Sequence, residues 1–236
     1  PVDLSQQICS TDVLNFLPTA SIAGTTFAWN SSITGPIIPG SVSISGTGPI
    51  TDAPANNGNV TGIVTYRITP SFNGCNGLPV DLVITVKPLP SATASNSTIC
   101  SGETALISIL PSPQNVAGTT FSWTAAPSGN VVGAANGNGS IISQILTTTN
   151  ASIGTVVYTI TPSANGCAGP TTIVTVTVNP IATVNAGVDF AVCEPVTIPI
   201  SGTIGGSATT ATWTVVSGAG TISGTTVSGV TASATY

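Results

Sequence analysis

Short stretches of strict alternation between apolar and polar residues dominate the chain. From 63 to 69, Val64, Tyr66 and Ile68 take one face and Thr65, Arg67 and Thr69 the other. A two-residue period of this kind predicts a half-buried β-strand. Residues 81–86 repeat the pattern with Leu82, Ile84 and Val86 inward, and Phe27 and Trp29 share one face after Gly24. An apolar segment lies at 13–17, and residues 31–60, with Val42 and Ile44 at alternating positions, read as short strands joined by loops. The series then returns as 105–110, 118–123, 141–147, 155–161 and 171–178, the last with Val174, Val176 and Val178 inward. No segment has helical periodicity. Strands of four to eight residues, punctuated by Gly, Pro and Asn, predict an all-β chain of antiparallel β-sandwich domains.

One stretch organises the repetition. Residues 64–75 run from Val64 through Tyr66, Thr69-Pro70 and Asn73-Gly74 to Cys75, and residues 156–167 run from Val156 through Tyr158, Thr161-Pro162 and Asn165-Gly166 to Cys167. Each reads as a strand, a Thr-Pro stop, an Asn-Gly turn and a cysteine. A lone hairpin cannot bury a core, so a period near 90 residues means whole repeated domains. The expected units are 1–88, 89–180 and 181–236, the third truncated before its last strands. The linkers, Lys87-Pro-Leu-Pro90 and Asn179-Pro-Ile181, are short and proline-fixed. They predict domains set end to end in a semi-rigid rod, on the order of 100 Å long.

The cysteines refine this picture. Cys9 and Cys75 are 66 positions apart, Cys100 and Cys167 67. Each interval opens at Ile-Cys-Ser and closes at Asn-Gly-Cys, which reads as two intradomain disulfides formed in an oxidising compartment. Each would close a loop and stabilise its domain by about 4 kcal/mol. The alternative is five buried free thiols. Cys193 occupies the place of Cys9 and Cys100 in the third unit, and on this scheme it alone is unpaired within the chain, its partner lying beyond residue 236 or on another chain. Trp213 follows Cys193 at the distance at which Trp29 follows Cys9. Trp29, Trp123 and Trp213, with Tyr66 and Tyr158, are the expected structural core.

Composition narrows the functions. Charged residues make up 4% of the chain, against about 25% in ordinary domains. Net charge is −5, and Arg67 and Lys87 are the two cations. Nucleic acid and anionic lipid both need clustered basic residues, so neither is an expected partner. No apolar run is long enough to span a membrane. Histidine is absent and no CxxC occurs, so neither a zinc site nor a His-based nucleophile is expected. The carboxylates Asp3, Asp12, Asp52, Asp81, Glu103, Asp189 and Glu194 are scattered. Nothing in their spacing pairs two for glycoside hydrolysis or clusters several for calcium. Asp3 and Asp189, near domain boundaries, are the candidates for a linker calcium site, weighed against solvated surface acids. Glu103 and Glu194 follow equivalent cysteines and read as turn caps. The tryptophans, candidates for stacking on sugars, recur at one strand position and read as core. No catalytic residue, metal or cofactor is expected.

A family resemblance gathers these motifs. The order Ile-Cys-Ser-Gly (99–102), Thr-Thr-Phe-x-Trp (119–123), Tyr-Thr-Ile-Thr-Pro (158–162), Asn-Gly-Cys (165–167) and Val-Thr-Val-x-Pro (176–180) resembles the PKD-like repeats of very large secreted Bacteroidota proteins. Val-Asn-Ala-Gly-Val-Asp (184–189), with Val-Cys-Glu (192–194) and Ala-Thr-Trp (211–213), resembles a sister repeat in the same proteins. The resemblance implies an Ig-like sandwich, export through the type IX secretion machinery, and display outside the cell on its surface. Known bearers include long adhesins, some used in gliding motility. The expected role is a structural stalk whose partners are neighbouring repeats of the same polypeptide, with surface glycans or other copies in a fibre as further candidates. The competing readings are a glycan- or protein-binding module using loops at 30–60 or 124–140, and an accessory region of a secreted hydrolase.

Overall fold

The structure is a computed structural model describing residues 4–189, 191, 193, 197–215, 221–223, 226–227 and 231–235. In the first unit, β1 (Leu4–Cys9), β2 (Thr26–Thr34), β3 (Ser45–Thr47), β4 (Gly62–Phe72), β5 (Cys75–Asn76) and β6 (Val80–Lys87) make one sheet. Its order is β1-β6-β4-β2-β3, with β5 folded back on β4. The facing layer consists of segments joined by the bridges Phe16–Ile50 and Ile37–Asn56. The alternation predicts the inner face well: Val64, Tyr66, Ile84 and Val86 are wholly buried and pack with Leu14 and Ile50 of the other layer. Val42 and Ile44 depart from expectation. They follow a 3-10 turn at Pro39–Ser41 and lie outside any strand, so the two-residue period fails; Val42 is buried while Ile44 is exposed.

The second unit repeats the plan with better-formed layers. Its strands are β7 (Ser97–Cys100), β8 (Thr104–Ser108), β9 (Thr120–Pro127), β10 (Val131–Val132), β11 (Gly137–Asn138), β12 (Ile141–Ile145), β13 (Thr147–Thr148), β14 (Gly154–Ala164), β15 (Cys167–Ala168) and β16 (Thr172–Asn179). The main sheet is β11-β9-β14-β16-β7 with β15 on β14, and the antiparallel pair β8–β12 covers it. Val156, Tyr158, Ile160, Val174, Val176 and Val178 are fully buried against Ala105, Ile107 and Ile142. The fold is thus all-β, with two Ig-like sandwiches in tandem, each closed around its own core. The third unit is described in part: β17 (Thr183–Asn185), β18 (Thr197–Ser201), β19 (Thr203–Gly205), β20 (Ala211–Thr212), β21 (Thr221–Ser223), β22 (Thr226–Val227) and β23 (Thr231–Thr235). They pair as β17–β19, β18–β23–β21 and β20–β22. Trp213 is half-buried rather than enclosed.

The expected Thr-Pro stop does not stop the strand. β4 continues through Pro70 to Phe72, and β14 through Pro162 to Ala164. Pro70 still pairs in register with Phe27 of β2, but the ladder to β6 ends at Ile68–Val80. The Pro70 carbonyl accepts from the Gly77 N–H at 2.9 Å, and Pro162 accepts from Gly169 in the same way. In a strand the nitrogen and carbonyl of one residue point to the same side. The missing N–H therefore faces the hairpin side, where the ladder to β6 has already ended.

Each core is built on a Trp and a Tyr. Trp29 and Trp123 lie opposite Gly46 and Gly137 in the ladder, and a Cβ at either glycine would run into the indole. The Trp29 ring meets Tyr66 edge-on at 5.4 Å. The Tyr66 hydroxyl donates to Asp52 at 2.6 Å, and the Tyr158 hydroxyl donates to Gln144 at 2.7 Å. Asp52 also accepts from the Ser43 N–H at 3.0 Å and the Ser43 hydroxyl at 2.7 Å. Burial raises both phenols above their ordinary pKa; at Tyr66 the hydrogen bond to Asp52 and its negative charge add to the rise. A tyrosine that ionises near pH 10 when unfolded and higher when folded contributes stability below pH 10 that is lost as pH rises. Denaturant unfolding between about pH 8 and about pH 11 should therefore show stability falling above pH 10, by up to about 1.4 kcal/mol per pH unit for each tyrosine. Tyr66→Phe and Tyr158→Phe together should flatten that limb; an unchanged slope in the double variant would contradict the assignment.

Candidate functional site: the junction between the first two sandwiches

Strand direction decides where the cysteines lie. β1 runs parallel to β6 and ends with it, so Cys9 sits beside Lys87 at the trailing end of the first sandwich. β4 runs antiparallel to β6, and Cys75 lies past its far end, beyond the Ile68–Val80 pair. The length of β6 separates the two cysteines, more than about 20 Å at strand spacing. A disulfide needs Cα atoms within about 7 Å. The second sandwich has the same geometry: Cys100 sits beside Asn179 in the parallel pair β7–β16, and Cys167 lies past the Ile160–Thr172 pair. The intradomain bonds Cys9–Cys75 and Cys100–Cys167 are therefore not formed. The near-equal intervals report the repeat length, not a pairing.

The bond that does form joins the two sandwiches. Cys9 pairs with Cys167, with Cα atoms 5.7 Å apart across 158 positions of sequence. The trailing end of the first sandwich thus meets the leading end of the second. Cys75 and Cys100 carry exposed free thiols, as does Cys193. Cys167 is almost wholly buried. The Asn-Gly turn presents it, with Asn165 at φ 53° and Gly166 at φ 83°, the left-handed pair a tight hairpin requires.

Polar contacts surround the bond. The Lys87 ammonium donates to the Asn165 carbonyl at 3.0 Å, so the chain's sole lysine reaches across to the turn that carries Cys167. The Gln114 amide donates to the Asn57 carbonyl at 2.9 Å. The segment 91–96 that follows the linker is sewn to the second sandwich. Thr172 Oγ1 donates to the Ala92 carbonyl at 2.7 Å, and Asn96 Oδ1 accepts from the Thr175 N–H at 2.8 Å. Ser91 is buried, and its hydroxyl oxygen accepts from the Gln114 N–H at 2.8 Å. Gly169 lies so close to the Pro90 carbonyl that no Cβ would fit.

The remaining sequence candidates hold local structure. Glu103 caps its turn by accepting from the Cys100 N–H at 2.8 Å, and Asp12 does the same for Cys9 at 2.9 Å. Asp3, Glu194 and Tyr236 lie outside the described residues. Asp189 is exposed. Among the described residues, no three His, Cys, Asp or Glu side chains gather around one point. Arg67 and Asp81 face each other across β4 and β6 as an exposed ion pair at 3.3 Å. A surface cleft bordered by Thr120, Ser122, Asn138 and Ser140 holds no charged residue and exposes mostly apolar surface, and its aromatic, Phe121, is buried. The sequence reading missed Lys87, Gln114, Asp52 and Gln144 as contact residues. A signal existed for the last two: each stands 14 positions before its tyrosine.

Comparison with known proteins follows the same lines. A family model described as a PKD-like domain matches residues 6–90 and 97–182. Similar solved structures include an I-band fragment of titin, 11% identical, at a TM-score of 0.40 with 98% of this chain and 84% of that chain covered. A human CDH23 fragment is 14% identical at a TM-score of 0.34, covering 88% and 85%. The first two immunoglobulin domains of DIP-gamma are 10% identical at 0.33, covering 75% and 95%. No curated protein sequence matches the chain.

Alkylation of the oxidised, denatured protein without prior reduction should add three labels, on Cys75, Cys100 and Cys193, by intact mass. Cys9→Ser should raise the count to four by freeing Cys167. A single label in the parent protein would restore the intradomain scheme.

Proposed function

Since the chain belongs to the PKD-like domain family, as its matches over 6–90 and 97–182 establish, we propose that it is a load-bearing stalk segment of a large exported cell-surface adhesin. The observation that carries this reading is the covalent junction. A disulfide, an ammonium–carbonyl contact and an amide–carbonyl contact hold consecutive sandwiches together. A chain whose task is to hold something at a distance gains from such a junction, because a free hinge would let the rod fold back. The low content of lysine and arginine leaves few cleavage points for trypsin-like proteases, which suits exposure outside the cell. Disulfide formation fits an oxidising compartment. In this reading the polypeptide is exported by the type IX pathway and displayed on the surface, as the resemblance of its repeat motifs implies. No helix among the described residues is long and apolar enough to cross a membrane. The uncharged cleft beside Asn138 is the place where a glycan-binding reading would have to begin.

The load path gives the test. Tension applied at the two ends enters at Cys9 and passes directly to Cys167, bypassing the intervening chain. Single-molecule pulling on the oxidised protein should yield less extension than on the reduced protein. The deficit should be roughly 520 to 570 Å of contour, from 158 positions at extended spacing. Equal extension in the two states would remove the mechanical argument. Binding to a glycan array that is lost on replacing residues around Asn138 would turn the reading towards a binding module.

A further inference from the structure

We propose that the inter-sandwich disulfide is one link of a continuing series. In this series Cys100 bonds to the turn cysteine of the sandwich that follows it, and Cys75 bonds to the first-strand cysteine of the sandwich that precedes it. This inference rests on the observed Cys9–Cys167 bond and holds whether or not the chain serves as a stalk.

The exposed thiols are placed as their bonded counterparts are. Cys9 closes β1 beside Lys87, and Cys100 closes β7 beside Asn179, each at the end of a parallel pair. The Ser10 N–H donates to the Lys87 carbonyl at 2.8 Å, and the Ser101 N–H donates to the Asn179 carbonyl at 2.7 Å. A carboxylate three residues on holds the backbone N–H of each cysteine, Asp12 for Cys9 and Glu103 for Cys100. Cys100 is thus fixed at the trailing end of the second sandwich as Cys9 is at that of the first. The turn cysteines match equally well. Asn73 and Gly74 have φ of 50° and 80°, the conformation of Asn165 and Gly166. Cys75 pairs back onto Phe72 as Cys167 pairs back onto Ala164. Gly77 stands two residues after Cys75, as Gly169 stands two after Cys167. At the observed junction that glycine makes room for the Pro90 carbonyl of the incoming linker.

The turn cysteines differ in their cover. Cys167, covered by the first sandwich, is buried; Cys75, at the uncovered leading end, is exposed. Lys87 has Asn179 at its equivalent place, which carries no ammonium. The covalent bond is therefore the element that both junctions share. Its formation is an exchange with a disulfide oxidant. The two cysteine thiols lose two protons and two electrons to form the new S–S bond, and the oxidant's S–S bond opens to two thiols. Links of this kind interlock. Each sandwich is tied through its first strand to the next and through its turn to the one before, so no single sandwich can be drawn out of the series.

The test is a chain carrying residues 1–180 twice, with Leu89-Pro90-Ser91 placed between the copies so that the new linker matches the first. Both sandwiches of 1–180 have closed cores of their own. After refolding with glutathione disulfide and alkylation, non-reducing peptide mapping should find Cys9–Cys167 in each copy. It should also find a third bond, from Cys100 of the first copy to Cys75 of the second, leaving one Cys75 and one Cys100 labelled. Labels on all four of those cysteines, with both Cys9–Cys167 bonds present, would overturn the proposal. Should the doubled chain misfold, a second version with Cys9→Ser and Cys167→Ser in both copies isolates the new junction. Oxidation should then give a monomer with a single internal bond; disulfide-linked dimers or four free thiols would count against it.

Discussion

The parallel pairing of the first strand with the last governs this molecule. β1 lies alongside β6, and β7 alongside β16, each pair running in one direction and ending together. A first strand that paired antiparallel would place its cysteine at the other end of the sheet, within reach of the turn cysteine of its own domain. The parallel arrangement sends it to the opposite end, where the chain departs for the next domain. Every feature of the junction follows: the cysteine meets the neighbour's turn, the last residue of β6 supplies the ammonium, and the linker lies against the second sandwich.

Two cores and one junction divide the work. Each sandwich closes on its own set of buried Val, Ile, Trp and Tyr, so folding does not require the neighbour. The disulfide adds connection rather than a core. In the chain-entropy picture a loop as long as the one closed by Cys9 and Cys167 restricts the unfolded chain by about 5 kcal/mol. That restriction is shared between two domains. A covalent shortcut across 158 positions removes most of both sandwiches from the line of tension.

Much of the fold was legible in the sequence because its signal is local. Alternation at Val64, Tyr66 and Ile68 and at Val174, Val176 and Val178 identifies buried faces without reference to anything distant. The tryptophans at matching strand positions mark the cores of the first two units. The cysteine pairing was not legible, because spacing does not encode strand direction. Intervals of 66 and 67 positions are equal for any feature of a repeat, bonded or not. Only the register of β1 on β6 reveals that Cys9 and Cys75 lie at opposite ends. Pro70 misled for a related reason: whether a proline stops a strand depends on which side its nitrogen faces, and that is a property of the sheet. Nothing local marks the role of Lys87, which appears only once the second sandwich is in place.

The central claim is that the disulfide crosses from one sandwich to the other, and the position of the sole lysine allows a direct test. Lys87 lies at the boundary, and no other lysine occurs in the chain. A protease that cuts on the amino side of lysine therefore makes one break, yielding fragments 1–86 and 87–236. If the oxidised protein is denatured, alkylated and digested, the two fragments should migrate together on a non-reducing gel and separate only on reduction. Fragments that separate without reductant would show that no disulfide crosses between the sandwiches and would contradict the account.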